Sequence, residues 1–281
     1  MRVGNFNNQD LKKAVKRYWE DKISGSRYGI SKDTRRWFHE IEYSRYILEP
    51  HILDFADFKG YRRKRVLEIG LGTGTDFINW IRNGALAVGI DFSQSSVNMV
   101  KQRLSLEDID SDYFNLCVAD AEELPFKDNT FELVYAWGVL HHTPNIEMAL
   151  KEICRVLKPS GIIKAMIYHI PSWVGWMLWF RFGLLRLRPW LSARKAIFKY
   201  LESPGTQAYT LSEARKLFER TKFCQIQVKS VLGPGDLLLI HPSKRYQSFI
   251  YRLFWSIYPR CLVRVLGNCF GLELLIQGKK M

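Results

Sequence analysis

The sequence predicts an α/β fold with a doubly wound, mostly parallel sheet. Short apolar segments alternate with helical segments of about ten to fifteen residues between residues 64 and 168, which is typical of successive βαβ units. The first apolar segment runs into a glycine-rich turn, and the next two are each followed closely by Asp. Because ligands of such sheets bind outside the carboxyl ends of the strands, these following residues are the first place to look for a site.

The first predicted strand, Arg65 to Ile69, precedes glycines at alternate positions: Gly70, Gly72 and Gly74. Glycines there let the backbone turn sharply and let a ligand lie against bare main chain at the next helix's N-terminus. The dinucleotide fingerprint would need its third glycine at Thr75, so a nicotinamide or flavin cofactor fits poorly. Glu68 before the turn suits a ligand with a cationic or amine group better than a pyrophosphate.

The second predicted strand, Ala85 to Ile90, is followed by Asp91 and Phe92. An acid at a strand's carboxyl end can bind both hydroxyls of a ribose, and the adjacent ring can stack on a purine. These two residues therefore predict a nucleoside-binding position beside the glycine turn.

The third predicted strand, Tyr113 to Val118, leads to Asp120 and Ala121, where an adenine amino group could be bound. An alternative function for Asp120 is to cap a helix, because Glu123 follows at the spacing of a capping box. The two functions are compatible, and both are open at this point.

The fourth and fifth predicted strands are Phe131 to Ala136 and Ile162 to Tyr168, with a helix from Asn145 to Leu157 between them. His141 and His142 follow the fourth strand, so they are expected at the ligand-binding edge. An imidazole that titrates near neutrality suits a general base there. The alternative for both is a loop histidine bonded to nearby backbone.

Five segments in order, VLEIGLGTGTD, GIDFS, VADAEELPF, FELVYAWGVLHHTP and LKPSGII, resemble the class I S-adenosylmethionine-dependent methyltransferases of the ubiquinone/menaquinone-type branch. The resemblance covers residues 64–168 and continues weakly through 209–218. Glu132 stands where Asp is commoner. The resemblance implies a Rossmann-like fold, a mostly parallel seven-stranded sheet, S-adenosylmethionine as cofactor, and transferase activity with in-line methyl transfer.

The resemblance also implies particular site residues. His141 matches the histidine assigned as base in phosphoethanolamine methyltransferases, and it is the predicted catalytic residue. The residues predicted to bind the cofactor are Glu68, Gly70, Gly72, Thr73, Gly74, Asp91, Phe92, Asp120, Ala121 and Trp137. The residues predicted to line the acceptor pocket are Tyr28, Tyr46, His142, His169 and Tyr209.

Cysteine content argues against a metal site or a disulfide framework. The five cysteines form no Cys-x-x-Cys pair, and their number is odd. A reducing, cytoplasmic location is expected, and the polar segment from Met1 to Asn8 does not resemble a signal peptide.

Positive charge is concentrated in one part of the chain. Residues 1–169 carry 24 Lys and Arg against 23 Asp and Glu, whereas residues 170–281 carry 18 against 5. The basic part contains two aromatic, apolar segments, Ile170 to Leu191 and Ser243 to Leu266. Arginines such as Arg181, Arg186 and Arg188 interrupt the first segment, so a membrane-spanning helix is disfavoured.

These two segments are predicted insertions into the core. One interpretation is a helical cap with its own apolar core; the other, compatible with it, is a basic amphipathic surface that rests on anionic lipid. Residues 1–60 are predicted to form an N-terminal helical lid. The remaining predicted units are the cofactor-binding core (61–169), the first cap insertion (170–208), the continued core (209–232), the second insertion (233–268) and the last core strand (269–281).

The predicted function is methyl transfer to a small, apolar or lipid-like acceptor. The basic third of the chain also raises an RNA methyltransferase as an alternative. The loop after the fourth strand, AWGVLHHTPN, argues against a nucleic-acid substrate. Enzymes that methylate the amino groups of bases have an Asn/Asp-Pro-Pro-aromatic motif at this position, and this loop lacks it. A second alternative is a non-catalytic methyltransferase-fold subunit of a membrane assembly, which the intact glycines and acids disfavour.

Overall fold

A seven-stranded sheet forms the centre of the protein in a computed structural model that describes residues 8–240 and 255–281. The strand order is β3-β2-β1-β4-β5-β7-β6, and β7 runs antiparallel to both of its neighbours. This arrangement confirms the predicted Rossmann-like α/β class. The strands are β1 (Arg65–Ile69), β2 (Leu86–Asp91), β3 (Phe114–Val118), β4 (Phe131–Trp137), β5 (Leu157–Tyr168), β6 (Phe223–Val231) and β7 (Glu273–Lys280).

Helices cover both faces of the sheet and extend beyond its carboxyl edge. The N-terminal helical region is interrupted at Pro50, because one helix ends at Leu48 and the next begins at His51. The described helices are α1 (Asn8–Asp21), α2 (Thr34–Leu48), α3 (His51–Ala56), α4 (Thr75–Arg82), α5 (Gln94–Leu106), α6 (Ile146–Val156), α7 (Trp173–Phe182), α8 (Ala193–Tyr200), α9 (Leu211–Arg220) and α10 (Arg260–Val265).

Strand register places the predicted ligand-binding residues along one edge. Ile69 is opposite Ile90, so the glycine turn and Asp91 leave the sheet at the same level. Trp137 is opposite Met166 on β5, and two residues later Tyr168 is opposite Glu273 on β7. One continuous rim is therefore formed by the ends of β1, β2, β4 and β5 together with the start of β7.

Two local predictions differ from the structure. β5 begins at Leu157 rather than at Ile162. Leu157 pairs with Phe131 of β4 and Ile162 pairs with Leu133, so the residues between Leu157 and Ile162 form an irregularity within the strand, with Ser160 at φ 64°. The helix cap proposed for Asp120 is wrong. Asp120 instead forms an isolated bridge with Glu123, and no helix begins after it.

The first insertion forms a cap that packs on its own apolar cluster. α7 and α8 bury Val174, Leu178, Phe182 and Ile197 together. The larger part of the predicted second segment, residues 243–254, lies outside the described residues. Its described end, including α10, contributes to a further cluster with Leu237, Leu238, Tyr258 and Val263, which packs against Trp173 and Met177 of the first insertion. The two insertions are therefore in contact, and in the described ranges no helix is long and apolar enough to cross a membrane.

Candidate active site

A cavity of about 2120 Å³ runs along the rim of the sheet and continues beneath the cap. It is bounded by the turn after β1, the ends of β2 and β4, helix α1, and the inner side of α7. The predicted site residues that line it are Tyr28, Glu68, Gly70, Gly72, Thr73, Asp91, Phe92, Asp120, Ala121, Trp137 and His142.

The glycine turn presents bare backbone to the cavity because side chains do not fit there. Gly70 has φ 83°, and a Cβ atom on it would lie 2.1 Å from Val139 Cγ2. Gly72 has φ 52°, and its added Cβ would lie 3.1 Å from the carbonyl oxygen of Ser24. Gly74 does not line the cavity; its φ of 76° lets the chain enter α4 close to Val100. The turn thus offers the close backbone approach that a methionine-type ligand requires.

Asp91 joins the second strand to the glycine turn. Its Oδ2 accepts hydrogen bonds from the backbone N–H groups of Leu71 (2.8 Å) and Gly72 (3.3 Å), and its Oδ1 accepts one from Ser93 (2.9 Å). Burial raises the pKa of Asp91, and these backbone hydrogen bonds oppose that rise. The carboxylate therefore shapes the turn, and Asp91 lines the cavity at the position predicted from the sequence to bind a ribose.

Glu68 is held below the turn. Its Oε2 accepts a hydrogen bond from Trp80 Nε1 at 2.9 Å. Burial, with the nearby charge of Asp76, raises the pKa of Glu68 well above its usual range. The sequence suggested that Glu68 binds an amine of the ligand. Its buried position and its hydrogen bond to Trp80 favour ordering the loop over binding an amine directly.

Helix α1 covers the end of the cavity predicted to hold adenine. Lys12 Nζ donates to Asp120 Oδ2 at 2.7 Å and pairs with Glu122 at 2.7 Å, while Lys16 Nζ lies 5.3 Å from the centre of the Phe92 ring. Glu20 fixes the other end of α1. Its carboxylate accepts bonds from Ser93 Oγ and Ser95 Oγ and from the backbone N–H groups of two residues at the start of α5.

His141 is not placed as expected for a base. It is 0 % exposed and does not line the cavity, and its ring packs 3.8 Å from the ring of Tyr168. Neither of its ring nitrogens has a hydrogen-bond partner among the described residues. Burial, with the neighbouring His142, lowers the pKa of His141 well below its usual value. A direct proton transfer from an acceptor in the cavity to His141 is therefore not supported by this geometry.

His142, by contrast, lines the cavity and is held on both sides. Its Nδ1 lies 2.8 Å from Ser203 Oγ and 3.2 Å from Thr206 Oγ1. Its Nε2 lies 3.3 Å from Glu202 Oε2, which also accepts a hydrogen bond from Tyr168 Oη at 2.7 Å. Ser203 and Thr206 follow α8, so the cap supplies the partners of a histidine that belongs to the core.

Three residues predicted to line the acceptor pocket lie elsewhere. Tyr46 Oη donates to Asp76 Oδ1 at 3.1 Å behind the glycine turn. His169 Nδ1 lies 2.8 Å from the carbonyl oxygen of Gly271. Tyr209 Oη donates to Gln207 Oε1 at 2.6 Å. None of the three lines the cavity, because each side chain is occupied by a neighbouring element.

Sequence reasoning missed three carboxyl groups of the cavity wall. Glu202 adopts φ 51°, unusual for a residue other than glycine, and this conformation accompanies its contact with His142. Glu49 accepts a hydrogen bond from Trp137 Nε1 at 3.3 Å. Glu273 lies next to Glu49, and burial raises the pKa of each to about 8. They come from three distant segments, and no motif spacing connects them.

Comparisons with known proteins identify similar methyltransferases. A methyltransferase domain matches residues 67–165, which include the glycine turn, both strand-end acids and the histidine pair. A demethylmenaquinone methyltransferase from Staphylococcus aureus is 27 % identical over 202 residues, covering 65 % of this chain and 82 % of that relative.

Solved structures show the same fold. An S-adenosylmethionine-dependent methyltransferase from Thermotoga maritima aligns with a TM-score of 0.54 at 18 % identity, covering 95 % of this chain and 100 % of that one. A Haemonchus contortus phosphoethanolamine N-methyltransferase bound to S-adenosylhomocysteine aligns with a TM-score of 0.59 at 15 % identity, covering 95 % of this chain and 60 % of that one.

The glycine turn and the acids at the ends of β2 and β3 line one cavity. All of these residues fall within the part of the chain that the methyltransferase domain matches. The relatives that the chain is similar to include a menaquinone-type methyltransferase. The chain therefore contains a methyltransferase domain and is an S-adenosylmethionine-dependent methyltransferase, with S-adenosylmethionine as its cofactor.

Proposed function

We propose that the enzyme methylates a small, largely apolar acceptor bound between the rim of the sheet and the cap. The observation that carries this proposal is the continuity of the cavity from the glycine turn into an aromatic chamber. On the cap side the chamber is lined by Trp173, Trp176, Met177 and Leu178. A largely apolar wall with a few polar groups favours an apolar ligand whose orientation is fixed by its polar end.

The similarity to a demethylmenaquinone methyltransferase supports the same class of acceptor. The name of that relative specifies a quinone-type substrate, and the cap chamber has the composition that such a ring system would require. At 27 % identity the relative supports the chemical class of the acceptor rather than its identity.

S-Adenosylmethionine, when bound, supplies a methyl group on a sulfonium. We assign its methionine part to the backbone at Gly70 and Gly72, its ribose to Asp91, and its adenine to the space between Phe92 and Asp120. The protein's contribution is alignment and exclusion of water, since the displacement needs acceptor, methyl and sulfur in line. Trp137, at the end of β4, lines the cavity and donates from Nε1 to Glu49 at the α2–α3 junction.

An acceptor hydroxyl or amine must also lose a proton, and we assign the promotion of that step to the polar groups around the histidine pair. His142 is the member of the pair that lines the cavity, so it replaces His141 as the residue closest to the acceptor. The bond from Nδ1 to Ser203 fixes the orientation of the His142 ring. Tyr168, bonded to Glu202, completes the polar end of the otherwise apolar chamber.

We further propose that the cap rests on an anionic membrane surface. Leu185, Leu187 and Trp190 are 65 %, 84 % and 77 % exposed, although they belong to the most apolar segment of the chain. Arg186 and Arg188 stand among them, and the described remainder of the basic part surrounds the cap. Exposed aromatic and aliphatic side chains beside arginine are the composition of an interfacial surface.

Transfer of labelled methyl from S-adenosylmethionine into a cell extract tests the acceptor class. The extract is separated afterwards into lipid, small polar and RNA fractions, and Asp91→Ala serves as the variant with impaired cofactor binding. We expect label in the lipid fraction with the wild-type enzyme and far less with the variant. Label confined to RNA or to small polar compounds would overturn the apolar acceptor.

A further inference from the structure

We propose that His141, His142 and Glu202 bind a divalent transition-metal ion, zinc by ligand type, with one coordination position open to the cavity. The role of the ion rests on the proposed function, because it would bind the hydroxyl of the acceptor. Its binding does not rest on that function and can be measured separately. The cysteine content argued against a metal site, but these ligands are imidazoles and a carboxylate.

The three side chains converge on one point. Each offers a ligand atom, and these atoms all lie within 4.8 Å of one another. His142 Nε2 and Glu202 Oε2 are 3.3 Å apart, which is long for a charge-assisted hydrogen bond. It is close to the separation of about 3.3 Å between two ligands of a tetrahedral ion bonded at about 2.0 Å. The spacing of these two atoms therefore suits two ligands of one ion, and the ligand atom of His141 lies within 4.8 Å of both.

The surroundings supply the outer contacts that metal ligands normally have. A histidine that binds a metal through one nitrogen usually has its other ring nitrogen held by a neighbouring polar group. His142 follows that pattern, since Nδ1 is held by Ser203 and Thr206 while Nε2 points toward Glu202. Tyr168 Oη donates to Glu202 Oε2 and fixes the carboxylate in turn.

His141 provides the second, independent observation. It is fully buried, and neither Nδ1 nor Nε2 has a partner among the described residues. A buried polar group without a partner destabilises a fold, and native proteins rarely leave both nitrogens of an imidazole in that state. A metal ion in contact with one of these nitrogens would satisfy it. The same ion would explain why a buried histidine lies directly beside His142 and Tyr168.

Three protein ligands and one open position are the arrangement of a catalytic zinc site, of which two histidines and a glutamate are a known ligand set. His142 and Glu202 line the cavity, so the open position faces the acceptor. The chemical class that fits is a phenol or enol hydroxyl on an apolar body. Its proton leaves to water, the oxygen bonds to the methyl carbon, and the carbon–sulfur bond breaks with its electron pair going to sulfur. No oxidant or reductant is consumed.

Metal analysis of the untagged, full-length protein is the direct test. We expect about one equivalent of zinc per chain, and a protein stripped with chelator should take up Co²⁺ with the visible absorption of a four-coordinate site. His142→Ala and Glu202→Gln should each weaken Co²⁺ binding about tenfold or more. The matched controls, His39→Ala and Glu147→Gln, remove an exposed and a partly exposed residue outside the cluster and should leave Co²⁺ binding unchanged.

Calorimetry with S-adenosylhomocysteine shows whether each variant is folded, because the cofactor frame does not include these residues. A folded, stripped protein that takes up no Co²⁺ would overturn the metal site, and so would variants that bind Co²⁺ as tightly as wild type. Full methyl transfer by metal-free enzyme would overturn the role of the ion but leave the proposed function standing. A protein that binds zinc in the cluster but methylates no apolar acceptor would support the site and overturn that function instead.

Discussion

Asp91 holds together the two parts of the cofactor frame. Its carboxylate bonds to three backbone N–H groups, two of them in the glycine turn, and faces the assigned ribose position. We expect Asp91→Ala to weaken S-adenosylmethionine binding by about 1.5 to 3 kcal/mol, the range for hydrogen bonds to a charged group. Isothermal calorimetry measures this change. Asp54→Ala, an exposed position on α3, is the control, and equal affinities for the two variants would remove Asp91 from the site.

His142 is the residue whose replacement separates chemistry from cofactor binding. We expect His142→Ala to lower turnover about 10²- to 10⁴-fold with cofactor affinity nearly intact, because the side chain faces the acceptor end of the cavity. Steady-state kinetics with the identified acceptor, together with calorimetry, gives both quantities. A loss of cofactor affinity with unchanged turnover would instead make His142 a structural residue.

Sequence patterns predicted the positions in the sheet of the candidate site residues at strand ends. Gly70, Asp91 and Trp137 lie where a parallel sheet requires them, since strand register fixes the level at which each leaves the sheet. Glu202 could not be found that way. It reaches His142 only because the chain after α8 folds back across the cavity with Glu202 at φ 51°. No periodicity encodes such a contact between residues sixty positions apart.

Among the elements, α1 depends most on a single ionised side chain. Hydrogen bonds from Ser95, from Ser93 and from backbone N–H groups at the start of α5 lower the pKa of Glu20 to about 2 from its ordinary value of 4.5. The stabilisation from ionised Glu20 is therefore present above pH 4.5 and is lost as the pH falls toward 2.

We expect Glu20→Gln to reduce the free energy of unfolding by about 0.5 to 1 kcal/mol at neutral pH, a small value because the site is largely solvated. The difference from wild type should shrink as the pH falls below 4.5. Urea denaturation at a series of pH values measures it. A difference that is constant with pH would show that the charge of Glu20 contributes nothing.

The cap is a packed element with a distinct inner and outer side. Ile197 is 0 % exposed, whereas the adjacent Phe198 is 40 % exposed. We expect Ile197→Ala to cost about 2 to 5 kcal/mol, since it leaves a cavity in a closed cluster. Phe198→Ala should change the free energy of unfolding by about 0.5 kcal/mol or less. Chemical denaturation compares the two, and equal effects would mean that the cluster around α7 and α8 is loosely packed.

Predicted and observed elements agree better where the sequence pattern involves only neighbouring residues. The bounds of β1 agree with prediction, and the Thr-x-x-Glu spacing at Thr210 and Glu213 forms a capping box, because both depend on neighbouring residues. The same spacing at Asp120 and Glu123 did not start a helix. There Lys12 engages Asp120 and Glu122 from a helix more than a hundred residues away, and Asp120 Oδ1 accepts a bond from the backbone of Glu122.

At the scale of the whole molecule, the cofactor-binding half is nearly neutral and the half that carries the cap is strongly basic. We expect the protein to sediment with anionic vesicles and not with neutral ones, and to be released as salt rises. Each basic residue near such a surface contributes about 1 kcal/mol, and the screening length falls from about 10 Å at 0.1 M salt to about 3 Å at 1 M.

Replacing Arg181, Arg186 and Arg188 with Gln should reduce this binding and leave cofactor affinity unchanged. The control replaces three exposed basic residues of the N-terminal part: Lys32, Arg35 and Arg36. Equal recovery on neutral and anionic lipid, or equal effects of the two sets of substitutions, would leave the cap without a function in membrane binding.

The bonds from Ser203 and Thr206 to His142 have a consequence for how this enzyme can change its substrate over evolution. The glycine turn, Asp91 and Asp120 belong to the shared core and would be inherited with any cap. The partners of the histidine, however, are encoded in the inserted segment that also shapes the acceptor chamber. Exchanging that segment for another would alter selectivity and reactivity together. If His142 acts on the acceptor as proposed, the two properties would not be modular, and a new acceptor would require a segment that again supplies partners for His142.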